Sequence, residues 1–177
     1  MKRLFSVAAP LAALVLLEVA VACSSSPSTS NKITVIGPSA GDFTATIGGV
    51  GPVFERRCGS FDCHGNPSRA MRIYSQNGLR QPNEAGILPG GATTTPSEVT
   101  ANYYSIIAVE PEEMNAAVSS KDPNAPYTLL ILKKPLNIET HKGGPVMNKG
   151  DDPEKCISSW ILGTTDKNAC TNGAALP

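Results

Sequence analysis

Apolar residues recur at helical spacing in several short segments of the chain, and most of these segments begin beside a proline. Val53, Phe54 and Cys58 follow Pro52, which predicts a short helix with proline in its first turn and Cys58 at its end. Gly, Pro and Thr dominate the longest connection, residues 81–95. The other predicted helices are 95–107 with a Thr95/Glu98 capping box, 127–134 stopped by Pro135, and 152–161 followed by Gly163. Residues 110–114 are predicted to form a polar turn or helix.

The N-terminus has the pattern of an exported protein. Lys2 and Arg3 precede an apolar stretch over residues 4–17, and Ala20-Val21-Ala22-Cys23 follows. This order resembles a bacterial lipoprotein signal, which implies removal of residues 1–22 and lipid attachment at Cys23. The alternative is an uncleaved membrane anchor, for which the apolar stretch is short. The resemblance implies a folded part outside the cytoplasm, tethered in the cell envelope, with the outer membrane indicated by the residue after Cys23.

Polar composition divides the rest of the chain. Residues 24–31 are Ser-rich and lack apolar periodicity, so residues 23–47 are predicted to be a lipid-anchored flexible tether. We expect the folded domain over residues 48–165 and a C-terminal tail over residues 166–177.

Charge and composition bound the possible functions. Without residues 1–22 the chain has 155 residues, of which 13 are basic and 14 acidic. A net charge of about −1 gives no indication of nucleic-acid binding. Gly and Pro make up 31 of 177 residues and aromatic residues only 5%, so a large apolar cofactor would supply core that the side chains lack.

The segment Cys58-Gly59-Ser60-Phe61-Asp62-Cys63-His64-Gly65 carries the candidate chemistry. It resembles a c-type haem attachment site, in which two thiols bond covalently to the porphyrin and the histidine binds the iron. Four residues separate the cysteines here, instead of the usual two. On a helix, positions five apart lie about 140° apart, so the spacer must bulge, and Gly59 and Ser60 favour a bulge.

Two other interpretations of the same residues remain open. Cys58 and Cys63 would form a plain disulfide in an oxidising compartment, or they would join His64 as zinc ligands. The contiguous Cys-His-Gly ending favours haem, because a disulfide has no use for the histidine. Cys156 and Cys170 then remain as a pair, which predicts a disulfide closing the C-terminus.

Motifs later in the chain extend the resemblance over residues 50–163. With the haem motif, they are similar to the haem domains of planctomycete and myxobacterial cytochrome c proteins. The resemblance implies an all-α, class I cytochrome c-like fold in which the first and last helices cross, one covalent haem c fills the pocket between them, and Trp160 packs nearby. The motifs that carry it are Leu130 to Pro135, His141-Lys142-Gly143-Gly144, and Trp160-Ile161-Leu162-Gly163.

The chain has two histidines, His64 and His141, so His141 is the histidine available for the second axial position of the iron. Gly143 and Gly144 would allow its loop to approach the porphyrin closely. Met147 is the competing ligand, and an open or water-bound position is the third possibility. Imidazole favours ferric iron and a low potential, whereas a thioether favours a higher one.

These observations predict a membrane-tethered monohaem carrier of single electrons rather than an enzyme, acting on redox partner proteins of the cell envelope. The sequence contains no other catalytic motif. A near-neutral surface predicts docking with little dependence on salt. The alternatives are a non-redox, disulfide-stapled or zinc-binding envelope scaffold, and a haem enzyme or gas sensor that requires an open iron position.

Overall fold

The computed structural model describes residues 34–82 and 93–175. The chain divides after Thr34 into two compact units, and the fold below is that of the second. The predicted signal over residues 1–22 and the lipid-bearing Cys23 lie outside the described residues. Within the described ranges, no helix is both long enough and apolar enough to cross a membrane.

The described part of the chain is helical, and the one β-like feature in it is an isolated bridge between Tyr74 and Leu79. An all-α fold was the prediction, and it is confirmed at that level. A 3₁₀ turn, Ala125–Thr128, accompanies the α-helices. These are α1 (Gly51–Cys58), α2 (Pro96–Ile107), α3 (Pro111–Ser119), α4 (Leu130–Lys133), α5 (Asp152–Ile161) and α6 (Lys167–Ala174).

Local sequence signals set the helix starts. Proline occupies the first turn of α1, α2, α3 and α5, where its missing N–H costs no hydrogen bond. The predicted capping box is present at α2: Thr95 Oγ1 accepts from the Glu98 N–H, and Glu98 accepts from the Thr95 N–H. These short helices therefore begin where their own residues dictate.

The folded unit begins before residue 48, where the expected tether was to end. Residues 35–47 belong to the folded unit rather than to a tether that ends at residue 47. Phe43 is buried, with its ring centre 5.5 Å from that of Trp160, and the Trp160 indole N–H donates to the Ser39 carbonyl oxygen at 2.8 Å. A single buried aromatic in a glycine-rich segment has no periodicity, so the pattern missed it.

The expected tail is a helix. Residues 167–174 form α6, whose Ala169 and Cys170 are buried. The predicted disulfide between Cys156 and Cys170 is present and joins α6 to α5. Arg57 of α1 donates to the carbonyl oxygens of Gly173 and Ala175. Because α6 packs closely through small side chains, its sequence lacks the large apolar residues from which a helix would have been predicted.

Trp160 lies in the core, where elements distant in the chain meet. Its ring contacts those of Phe43, Phe54 and Tyr103, with centres 5.5 to 6.4 Å apart. The first helix thus reaches α5 through Phe54, while it also packs against α6. Trp160 is completely buried and does not line the cavity described below.

A buried ion pair joins Arg80, which precedes α2, to Glu98 in the first turn of that helix. Glu98 is 2% exposed and receives Arg80 Nε at 2.9 Å, together with the backbone N–H groups of Gln81 and Thr95. Burial by itself would raise the pKa of Glu98, but the hydrogen bonds from Arg80, Thr95 and Gln81 outweigh it and hold that pKa below 4.5. The carboxylate therefore stabilises the fold in its ionised form.

Replacing Glu98 by alanine should lower the free energy of unfolding at pH 7 by about 3 kcal/mol, because the buried Arg80 guanidinium would lose the carboxylate that compensates its charge. The contribution is complete above pH 4.5 and is lost as pH falls through the lower pKa of the folded state. Urea unfolding at pH 7 and pH 3 measures both effects. The exposed Glu112→Ala in α3 is the control, and an equal loss in the two variants would contradict the assignment.

Candidate cofactor site

A cavity of about 580 Å³ lies between the end of α1, the helix α4 and the loop around His141. This volume falls within the roughly 300–1,000 Å³ typical of ligand and cofactor sites. Its lining is largely apolar, including Phe54, Met71, Val109, Ile131 and Val146. The cavity walls come from segments far apart in the chain, which only the tertiary fold brings together.

The segment 58–65, called the cysteine loop below, folds back on itself. The His64 N–H donates to the Cys58 carbonyl oxygen at 2.8 Å, and the Gly65 N–H donates to that of Ser60 at 2.9 Å. These bonds turn the four-residue spacer into a compact loop. As a result Cys58, Cys63 and His64 all line the same cavity, and the spacing that differs from the usual motif does not separate them.

Close glycine packing sets the shape of the cysteine loop. A Cβ atom added at Gly65 or Gly78 would overlap the Gly59 carbonyl oxygen. Gly59 itself has φ −86°, so it is needed for space and not for a left-handed conformation. Gly59 was expected to favour a bulge through its flexibility. The structure shows instead that the close packing around it leaves no room for a side chain. Gly78 was not singled out, because its partner is 19 positions away.

His64 has its ring fixed by the backbone. Its Nδ1 lies 3.0 Å from the Met71 carbonyl oxygen, so Nδ1 carries the proton and Nε2 keeps a free lone pair. Burial lowers the pKa of His64; the hydrogen bond to Met71 opposes this effect, and the neighbouring His141 and Arg69 add to it. The ring is therefore neutral at pH 7, the form that binds a metal ion.

His141 is held in the same way from the opposite wall. Its Nδ1 lies 2.8 Å from the Gly144 carbonyl oxygen, so Nδ1 carries a proton and donates it to that oxygen. The two imidazole rings are nearly parallel, with an angle of 10° between planes and 6.4 Å between centres. The structure thus brings together the only two histidines of the sequence, which lie 77 positions apart.

The distance between the histidine ring centres fits one metal ion bound by both imidazoles. A metal-bound imidazole nitrogen lies about 2 Å from the ion and about 1 Å from its own ring centre, so two rings on one ion have centres about 6 Å apart. The observed 6.4 Å agrees with that value. Together with the apolar lining and two cysteines at the wall, the residues present fit a haem group.

Both cysteines of the loop are unpaired thiols, each partly exposed. Burial raises the pKa of Cys58 to about 12, and the nearby Cys63 adds to the rise. Among the residues that the structure describes, no three His, Cys, Asp or Glu side chains converge as a metal site. The zinc interpretation therefore finds no assembled ligand set there.

The charged groups at the cavity are mostly committed to other contacts. Arg57 binds the end of α6, Arg69 donates to the Cys63 and Asp62 carbonyl oxygens, and Lys134 pairs with Glu139. Lys142 lines the cavity and makes no ion pair or hydrogen bond within the described ranges. It is the lining cation available to an anionic group.

Met147, the competing ligand, occupies a different environment. Its side chain is 4% exposed within the hydrophobic core and is absent from the cavity lining. Sequence reasoning missed Met71, whose carbonyl oxygen fixes His64, and Lys142. A residue that acts through its backbone carbonyl leaves no signal in the side-chain pattern, whereas Lys142 adjoins the histidine and was identifiable from that position.

No protein-family model, curated protein or solved structure matches this chain. What the protein does is therefore indicated by the site itself. Its elements are the two facing imidazoles, the two thiols beside one of them, and the apolar cavity.

Replacing Gly78 by alanine should lower the free energy of unfolding by about 1–3 kcal/mol, because the new Cβ cannot fit against the Gly59 carbonyl without moving the cysteine loop. Gly41→Ala is the matched control, since a Cβ at Gly41 meets only Ser39 Oγ at 3.6 Å. Chemical denaturation of both variants measures the difference. Similar stability in the two would show that the glycine packing does not constrain the loop.

Proposed function

We propose that the protein is a membrane-tethered carrier of single electrons with one covalent haem c in the cavity. Cys58 and Cys63 would form the thioether bonds, and His64 and His141 would be the axial ligands. The observation that carries the proposal is the pair of carbonyl-fixed imidazoles, with ring centres 6.4 Å apart, beside two free thiols. Bound haem would supply one-electron exchange between ferric and ferrous iron.

The geometry supports His141 over Met147 as the second axial ligand. His141 lines the cavity and lies opposite His64, whereas the Met147 side chain packs in the core. Two imidazole donors favour the ferric state and a low reduction potential. Two protein ligands also leave no position on the metal for a substrate or a gas, which favours an electron carrier over a haem enzyme or sensor.

The remaining residues of the cavity have separate roles. Apolar side chains such as Phe54, Val109 and Ile131 would exclude water from the porphyrin face, which limits the reorganisation that accompanies a change of charge. The Met71 and Gly144 carbonyls keep each histidine in the ligating tautomer. Lys142 is available to neutralise a propionate carboxylate.

The lipoprotein resemblance supports attachment through lipid on Cys23 in the cell envelope, with redox proteins as partners. The folded unit begins at Val35, so only about 12 residues connect it to the lipid. Even fully extended, that length spans about 40 Å. Partners would therefore be proteins at or near the same membrane surface.

Exporting the mature protein from a strain that matures c-type cytochromes should give a coloured product. The reduced spectrum should show a sharp α-band near ~550 nm, and haem should remain on the chain in a denaturing gel. Cys58→Ala with Cys63→Ala should lose the gel-bound haem, whereas Met147→Leu should keep it. A colourless wild-type protein would favour a non-redox envelope scaffold with a Cys58–Cys63 disulfide.

The choice of axial ligand has its own test. Ferric wild-type protein should lack the weak band near ~695 nm that accompanies sulfur ligation, and Met147→Leu should leave the spectrum unchanged. His141→Ala should convert the ferric haem to a high-spin form that binds added imidazole. The assignment fails if His141→Ala keeps a low-spin spectrum while Met147→Leu loses it.

A further inference from the structure

His141 is held at two points by a single residue three positions later. The Gly144 N–H donates to the His141 carbonyl oxygen at 3.0 Å, and the Gly144 carbonyl oxygen accepts from His141 Nδ1 at 2.8 Å. The first bond closes a turn over residues 141–144, and the second fixes the ring. Backbone and side chain of the histidine are therefore oriented by the two peptide groups that flank the Gly144 Cα.

The orientation depends on a left-handed backbone at Gly144. Its φ is +69°, and a Cβ placed there would meet no atom within 4 Å. Glycine is thus required for conformation and not for space. Other residues strongly disfavour positive φ, and Pro145 further restricts the residue before it. Any relaxation of φ would swing the Gly144 carbonyl away from Nδ1.

His64 and Gly143 do not depend on a left-handed backbone in this way. Among the described residues, the left-handed backbone positions are Gly48, Asn137, Gly144, Gly150 and Gly163, so Met71, which fixes His64, is not one of them. Gly143 has no positive φ, but a Cβ there would press on His141 Cε1 at 3.3 Å. The two neighbouring glycines therefore act differently: Gly143 leaves room for the ring, and Gly144 selects its tautomer.

We propose that Gly144 is a positioning residue that presets His141 as a ligand through Nε2, by holding the proton on Nδ1 before anything binds. The identity of the bound group rests on the proposed function. The position of the proton on His141 does not depend on that function. In water a free imidazole prefers its proton on the other nitrogen, so the carbonyl of Gly144 has a measurable effect on the ring.

The experiment compares Gly144→Ala with Gly163→Ala in the full mature chain as isolated. Gly163 has φ +75°, close to that of Gly144, and also has no atom within 4 Å of an added Cβ. It lies after α5 and outside the cavity lining. The two variants therefore impose a similar local strain, and only one of them disturbs the His141 hydrogen bond.

In haem-loaded ferric protein, added imidazole should displace His141 about 10–100-fold more readily in Gly144→Ala than in wild type, the range for losing a partner of a metal-bound histidine. Gly163→Ala should stay within about twofold of wild type. Gly144→Asn should recover most of the difference, because asparagine tolerates positive φ. Equal displacement in the two alanine variants would overturn the proposal.

If the protein carries no haem, the proposed function fails. The protonated nitrogen of His141 can then be identified directly by NMR. Long-range ¹H–¹⁵N NMR should then show wild-type His141 protonated on Nδ1, and Gly144→Ala should move the proton to Nε2. An unchanged tautomer would overturn the proposal. Should Gly144→Ala not fold, the wild-type ring is decisive: its Nδ1 proton should exchange slowly with water, and fast exchange would refute the contact.

Discussion

The close packing of Gly59, Gly65 and Gly78 is the constraint on which the site depends. The cysteine loop turns back so tightly that His64 N–H reaches the Cys58 carbonyl, and this path exists only if no Cβ stands beside the Gly59 carbonyl oxygen. The loop thereby presents two thiols and an imidazole to one cavity despite the four-residue spacer. A side chain added at any of these glycines would displace both thiols and the imidazole together.

The wall that carries His141 is built from consecutive segments of the chain, residues 110–146, that hydrogen-bond to each other. The Leu130 N–H, at the start of α4, donates to the carboxylate of Glu110, so a side chain beside α3 caps α4. The Val146 N–H donates to the Pro135 carbonyl oxygen at 2.8 Å, which closes the loop carrying His141. The second histidine is thus fixed by backbone bonds at both ends of its loop.

The helices at the end of the chain brace the wall that carries Cys58. The Cys156–Cys170 disulfide fixes α6 to α5, and Arg57 ties α6 to the helix that delivers Cys58. In a chain with few large apolar residues, such cross-links supply stability that the core alone lacks. The same arginine is therefore unavailable as a free charge at the cavity.

The sequence by itself determined the local features of this protein. Proline positions and the Thr95/Glu98 box set the helix starts, and Cys58, Cys63, His64 and His141 were identifiable because their side chains carry the chemistry. The tertiary structure alone decided the rest: the burial of Phe43, the helix α6, the exclusion of Met147 from the cavity, and the facing of His64 and His141. Helix caps and turns act over a few residues and are visible in sequence, whereas packing between distant segments leaves no periodic signal.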